Sequence, residues 1–435
     1  MELTTILNRC HHFRGLVYEH ARFSTDKRSI EVVVRTRRGS AAVCSRCHLP
    51  APGYDQLTER RYEFIPQWGF FVFLLYAMRR VDCRRCGVVA VEEVPWGDGK
   101  RTLSKDYMLF LARWARRLSW KETAECFRTC WDKVFDAVEH VVAWGLEHRA
   151  LGQIDAIGVD EIQYAKGRKY LTLVYQIAIG VTRLLWVGKE RTIESFQGFF
   201  TAMGQEVISK IVFVCSHMWE PYLKVIREKC SDALHILDRF HIVAKMNKAL
   251  DKVRAEETSR MKREGRCPVL KKSRWLLLKR SENLADEQHF RLRDLLRYNL
   301  KSVRAYLLKE AFQQLWDYNS AAWAGRFLDD WCRQTMRSRI EPMKKIARSP
   351  RQHRELILNY SRASKLISSG VVEGLNNKAK VIMRKSYGFR TYRLPELALY
   401  HSLGKLPEPE CTHDFFSRTA FNRSRRAELA LCGPA

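Results

Sequence analysis

The sequence predicts a multidomain α/β protein, and three observations carry that prediction. Two Cys-x-x-Cys pairs, Cys44 with Cys47 and Cys83 with Cys86, sit among short strand-like runs near the N-terminus. Residues 151–240 give three strands, a helix, a strand, a helix and a strand, which is a mixed α/β order. Residues 241–365 are long, polar and mostly helical in pattern. The chain has 435 residues, 46% of them apolar and 29% charged. That suits two or three folded domains and argues against wholesale disorder.

Residues 1–100 form the first unit. Runs at Ile30–Arg35, Arg61–Ile65 and Phe70–Val81 read as short strands. Each Cys-x-x-Cys supplies two thiolates from a tight turn, and two such turns complete a tetrahedron around zinc. The 35 residues between the pairs leave room for strands of the same small domain. An odd total of 13 cysteines fits a metal site in a reducing compartment better than a disulfide framework.

Residues 101–150 have a helical period, with Leu103, Tyr107, Phe110, Leu111, Trp114 and Leu118 on one face. A break at Leu118-Ser119 precedes a second helical run from Trp120 to Val142. Short helices with a tight join suggest a helix-turn-helix. Arg113, Arg116, Arg117, Lys121, Arg128 and Lys133 surround it with basic side chains.

In residues 151–240 the strands are Ile154–Val159, Tyr170–Ile179, Thr182–Val187, Ile211–Cys215 and Ala233–Leu237. The first runs into Asp160-Glu161 and the last into Asp238. Helices are expected at Ile193–Ser209 and from Pro221 to Lys229, the latter with proline in its first turn. In residues 241–365, Trp275, Trp316, Trp323 and Trp331 read as core anchors. A helix is expected around Glu373 in residues 366–405. Residues 406–435 form a basic tail with Arg418, Arg423, Arg425 and Arg426.

The charge narrows the function. Lys plus Arg number 77 against 48 Asp plus Glu, a net +29. Such an excess points to a polyanion or an anionic surface. The strongest apolar run, Trp68 to Met78, is eleven residues long. A spanning helix needs about 20. The opening MELTTILNRC has no basic segment before a long apolar one, so no secretory signal is expected. Nucleic acid is the leading partner, with no membrane and a cytoplasmic location expected.

Several stretches together resemble one family. They are the two cysteine pairs, Ile157-Gly158-Val159-Asp160-Glu161, His217-Met218-Trp219-Glu220-Pro221-Tyr222, Leu237-Asp238-Arg239-Phe240-His241, Leu270 to Leu278, Gly370 to Lys378, and Tyr387-Gly388-Phe389-Arg390. Over nearly its whole length the chain resembles ISL3-type transposases of bacterial insertion sequences. That resemblance implies a zinc finger, a helix-turn-helix, and an RNase H-like DDE catalytic domain interrupted by a large helical insertion. The implied boundaries are 1–100, 101–150, 151–240, 241–365 for the insertion, 366–405 for the catalytic helix, and 406–435. It also implies binding of terminal inverted repeats and target DNA, metal-dependent cleavage, and strand transfer. A homodimer is expected, since two element ends must be held together.

The resemblance places catalytic carboxylates at Asp160 and Glu373, holding magnesium or manganese, with zinc on Cys44, Cys47, Cys83 and Cys86. The family's middle Asp falls at His217. Imidazole offers a metal one nitrogen, cannot bridge two ions, and suits magnesium poorly. The chain is therefore expected to bind DNA and to join strands poorly with magnesium. Asp238 is the rival for the second ligand, with capping of the following helix as its plain role. Glu161 should point away from Asp160 along a continuing strand, which suits support rather than ligation. Lys378, Lys380, Arg384, Lys385 and Arg390 flank Glu373 and are candidates for holding phosphates. The histidine keeps a second reading open: a non-catalytic DNA-binding protein or regulator on the same scaffold.

Overall fold

The computed structural model describes residues 2–97, 101–167, 169–178, 180–266, 269–363, 370–386, 389 and 391–409. Arg390, the Tyr387-Gly388 pair, Cys267-Pro268 and the tail arginines lie outside them. The chain divides into two compact units. One holds residues 1–150 and the described residues from Arg393 onward; the other spans Leu151–Tyr392.

The first unit opens with α1 (Leu3–Cys10), β1 (Leu16–Phe23), β2 (Ser29–Thr36), β3 (Ala42–Val43), β4 (Pro50–Ala51) and β5 (Gly53–Gln56). It continues with β6 (Arg60–Gln67), β7 (Phe70–Tyr76), β8 (Arg79–Cys83) and β9 (Val88–Val91). One sheet has the order β1-β2-β7-β6, with β2 and β7 parallel and the outer pairs antiparallel. Its alternating residues Val32, Val34, Tyr62, Phe64, Val72 and Leu74 bury around Trp96. A smaller antiparallel sheet, β5-β8-β9, and the β3-β4 pair carry the cysteines. The run Phe70–Val81 is thus two strands in two sheets, not one. The chain leaves the first sheet at Ala77-Met78, whose carbonyls accept from Gln56 Nε2 and the Leu57 N–H instead of from a neighbouring strand.

Three helices follow: α2 (Lys105–Ala115), α3 (Trp120–Cys126) and α4 (Trp131–Glu147). Ser119 and Glu122 form a reciprocal capping box that starts α3. The run Trp120–Val142 is broken between α3 and α4, because Arg128 adopts φ 50° and the Thr129 N–H folds back to the Ala124 carbonyl. Seven residues make too short a helix to stand alone. Packing of Trp120 on Trp131 and Phe135 holds α3 to α4. Helix α16 (Arg393–Leu403) also packs on α4, and Arg393 pairs with Glu139 at 3.2 Å.

The second unit is built on β10 (Ala156–Ala165), β11 (Lys169–Ala178), β12 (Val181–Lys189), β13 (Phe213–Ser216) and β14 (Leu234–Leu237). Their order is β12-β11-β10-β13-β14, with β11 antiparallel to β10 and β12, and β13 parallel to β10 and β14. Between strands run α5 (Ile193–Met203), α6 (Gln205–Ile208) and α7 (Glu220–Lys229). The expected single helix Ile193–Ser209 breaks at Gly204, whose φ of 77° ends α5. Phe196, Phe199 and Phe200 of α5 and Tyr222, Val225 and Ile226 of α7 bury against Ile157, Val159 and Val174. Each such side chain contributes about 1.5–3 kcal/mol.

The helical stretch comprises α8 (Arg239–Arg263), α9 (Arg274–Leu278), α10 (Asp286–Leu296), α11 (Lys301–Gln313), α12 (Ala321–Arg337), α13 (Glu341–Gln352) and α14 (Arg354–Arg362). Trp316 and Trp331 are core residues there, as expected. Trp275 and Trp323 are not: they are 61% and 59% exposed, each with an arginine over its ring, Arg274 and Arg326. Helix α15 (Gly370–Lys385) then returns to the sheet, on the face opposite α5 and α7.

The seat of α15 explains Gly158. A Cβ built there meets Val372 Cγ2 at 2.3 Å and two Ile177 atoms at 3.5 Å. The strand therefore has to be bare where the helix crosses it. Gly158→Ala is expected to push α15 outward and cost about 1–3 kcal/mol by overpacking. Thermal unfolding of the variant checks this, and an unchanged midpoint would show that α15 is not tightly seated.

Candidate functional site

Alternation along β10 sorts its side chains. Gly158 and Asp160 face α15, while Val159 and Glu161 face the α5–α7 side. On α15, Val372 and Asn376 are one turn apart, so the pair Val372/Asn376 meets the pair Gly158/Asp160. Asn376 Nδ2 donates to Asp160 Oδ2 at 2.5 Å, and Tyr175 of β11 donates to Asn376 Oδ1 at 2.8 Å. The N–H of Glu161 donates to Asp160 Oδ1 at 2.8 Å. Burial raises the Asp160 pKa, opposed by His241, that N–H and the charge of Lys380.

His217 follows the last residue of β13. Ser216 pairs with Val159, so β13 stops just where β10 continues. Strand β10 does not end at Asp160-Glu161 as the sequence suggests; it runs on to Ala165. The open edge left by β13 lets both neighbouring carboxylates reach the imidazole from opposite faces. His217 Nδ1 lies 3.4 Å from Glu161 Oε2 and 3.9 Å from Asp160 Oδ1. Glu161 does take the other face, as alternation requires, yet its carboxylate belongs to the same cluster.

Arg191 fills the far side. Its Nη2 donates to His217 Nε2 at 3.1 Å, its Nη1 pairs with Glu161 at 3.1 Å, and its guanidinium lies 4.1 Å over Trp219. Burial, then the charges of His241, Arg191 and Lys245, lower the His217 pKa to about 3. The ring is neutral near pH 7. Burial and the Asp160 charge raise Glu161 to about 7. Arg191, Asn376 and Tyr175 were not marked by sequence; only the Asn376-Asn377 pair beside Glu373 hinted at them.

Asp238 has a partner on each oxygen. Its Oδ1 accepts the Phe240 N–H at 2.8 Å, capping α8, and its Oδ2 accepts from His241 Nδ1 at 2.7 Å. That bond, with nearby acidic charges, raises the His241 pKa against burial. Glu373 stands in the first turn of α15, exposed, next to the buried Val372. Among the described residues it is outside the Asp160–Glu161–His217 group. Lys378, Lys380 and Arg384 are exposed on the same helix and Lys385 is half-buried.

In the first unit the four cysteines form a second cluster. Cys47 Sγ and Cys83 Sγ are 3.5 Å apart. A disulfide needs about 2.05 Å, whereas sulfurs sharing a zinc at about 2.3 Å sit near 3.8 Å apart. N–H groups of Arg46 and Cys47 lower the Cys44 thiol to about 7. Around the helices, Arg113 and Arg116 grip Glu408 at 2.8 and 2.7 Å, and Lys133 pairs with Glu63. Arg117, Lys121 and Arg128 are exposed, Lys121 at 3.7 Å from Glu125.

The Tyr175–Asn376–Asp160 chain predicts a clear cost. Asn376→Ala leaves a buried phenol and a buried carboxylate oxygen without that partner, and should destabilise by about 1–3 kcal/mol. Denaturant unfolding measures it, and a neutral result would mean the network is not formed.

Comparison with known proteins gives the family. The ISL3-type DDE family, described as transposases, matches residues 157–396. The chain is 27% identical over 350 residues to the transposase for insertion sequence element IS1001 of Bordetella parapertussis, covering 80% of this chain and 85% of that one. It is 28% identical over 396 residues to the transposase for insertion sequence element IS1557 of Mycobacterium tuberculosis, covering 83% and 86%. The matched stretch begins on β10, includes His217 and the helical stretch, and ends beyond α15. The chain belongs to the ISL3-type DDE transposases of insertion sequences.

Proposed function

We propose that the first unit binds the terminal inverted repeats of an element and that the second cuts and joins DNA through a centre built on Asp160. The observation that carries this reading is the buried Asp160, held on the central strand by a helix whose first turn bears Glu373. The sheet order, three antiparallel strands followed by two parallel ones, supports an RNase H-like core. Residues 241–365 are then its helical insertion. The insertion is the proposed surface for pairing two copies in a homodimer, which would bring two ends together.

The four cysteines fit a structural zinc by donor type and sulfur spacing. The zinc would tie β3, β8 and their turns into one platform. In the second unit, Asp160 and Glu373 are the proposed divalent-metal ligands. The donor set around Asp160 fits a divalent cation, since Glu161 Oε2 and His217 Nδ1 are buried without hydrogen-bond partners. A bound divalent ion would activate the attacking oxygen and stabilise the leaving one. The chain's own residues do the rest. Asn376 and the Glu161 N–H orient Asp160, and Lys378, Lys380 and Arg384 line the approach with charge for phosphates. Arg117, Lys121 and Arg128 are the basic side chains most open to DNA beside the helix-turn-helix, because Arg113, Arg116 and Lys133 already hold carboxylates.

One observation favours a reduced activity. His217, standing where the family has Asp, is neutral and bound to Arg191, so the site carries one negative charge fewer. A DNA-binding regulator on this scaffold is the second reading.

Binding is tested by titrating the full chain onto element-end duplexes against scrambled duplexes at several salt concentrations. The ends should be preferred, and log affinity should fall linearly with log salt, by about 0.9 per phosphate neutralised. Asp160→Asn should bind as well as the unaltered chain. Equal affinity for scrambled DNA, or no salt dependence, contradicts the reading.

A further inference from the structure

We propose that Glu161 and His217 join Asp160 in a mixed carboxylate–imidazole site for one divalent cation, which takes Mn2+ in preference to Mg2+. The inference rests on Asp160 belonging to the metal centre and adds a ligand, Glu161, that the DDE pattern does not assign.

Spacing is the first argument. One ligand atom from each of the three residues lies within 4.8 Å of the others. His217 Nδ1 is 3.4 Å from Glu161 and 3.9 Å from Asp160. Donors around one octahedral ion, with bonds of about 2.1 Å, are separated by about 3.0–4.2 Å. The side chains need little movement to share a cation.

Burial leaves two atoms of this group without hydrogen-bond partners. His217 Nδ1 and Glu161 Oε2 are buried and make no hydrogen bond, although they face each other. The His217 side chain is only 9% exposed. Trp219 stacks parallel to its ring at 6.3 Å and Tyr222 meets it edge-on at 5.5 Å, so the ring is aimed at the carboxylates. Buried polar atoms left without partners are rare in folded proteins. A cation between them satisfies both atoms.

The chemistry then sets the preference. Two carboxylates give the negative charge that balances a divalent ion, and the imidazole adds a borderline nitrogen. Mg2+ prefers an all-oxygen shell, whereas Mn2+ accepts carboxylate and imidazole together.

Arg191 opposes the cation. It donates to Nε2, so the ring's single proton is on Nδ1, facing the carboxylates. Ligation through Nδ1 requires that proton to leave and another to settle on Nε2, which breaks the bond from Arg191. The guanidinium keeps its places on Glu161 Oε1 and over Trp219. Removing Arg191 should therefore tighten the site.

The test is Mn2+ binding to the zinc-loaded full chain, followed by loss of the free-ion EPR signal, with Mg2+ as competitor. Mg2+ should displace Mn2+ only at about tenfold or greater excess. Pulsed EPR should show a nitrogen coupling that His217→Asp abolishes while narrowing the Mn2+/Mg2+ ratio. Glu161→Gln should weaken Mn2+ by roughly 10- to 100-fold with unchanged thermal unfolding, and Arg191→Gln should tighten it. If Glu161→Gln binds Mn2+ normally while Asp160→Asn does not, the added ligand is wrong and the Asp160 centre stands. If Asp160→Asn also binds normally, both are wrong.

Discussion

The second unit depends on one buried contact, the hydrogen bond from Asn376 to Asp160 above the close approach of Val372 to Gly158. The bonded residues are 216 positions apart, with seven helices of the polar stretch between them. A bare glycine lets the helix approach, and the amide then reaches the carboxylate. The same contact fixes the height of Glu373 along the strand, because Val372 is its neighbour in sequence. Tyr175 completes the bond chain, so the helix is registered against two strands at once.

Around that fixed carboxylate the site is a balance of charge. Asp160, Glu161 and Asp238 supply negative charge; Arg191, His241 and Lys380 answer it. His217 sits in the middle and contributes none, because burial and three positive neighbours keep it neutral. Asp238, at the end of the neighbouring strand, caps α8 with one oxygen and holds His241 with the other. His217 Nε2 accepts from Arg191, which also pairs with Glu161.

Much of this was legible in the sequence. Strands with clean apolar runs, such as those ending at Ala178 and Leu237, were found because burial on both faces leaves an unbroken signal. The cysteine cluster was legible because metal chemistry restricts residue type and spacing; Asp160 was marked only through the family resemblance. What failed were breaks decided by backbone geometry, at Ala77-Met78, Arg128 and Gly204, where apolar pattern continues through a turn. Trp275 and Trp323 were misplaced because an aromatic covered by arginine looks like a core residue in sequence. Glu161 takes the face that alternation gives it, and its nearness to His217 comes from β13 stopping at Ser216, which the sequence of β10 does not carry. Arg191 carried no signal at all, since its role comes only from tertiary packing.

The central claim is that position 217 separates holding DNA from acting on it. The most direct measurement is single-turnover joining of labelled element-end DNA in Mg2+, with the unaltered chain and His217→Asp compared at equal DNA occupancy. Equal binding by both is expected, with joined product from the aspartate variant alone. Equal joining by both chains in Mg2+ would contradict it.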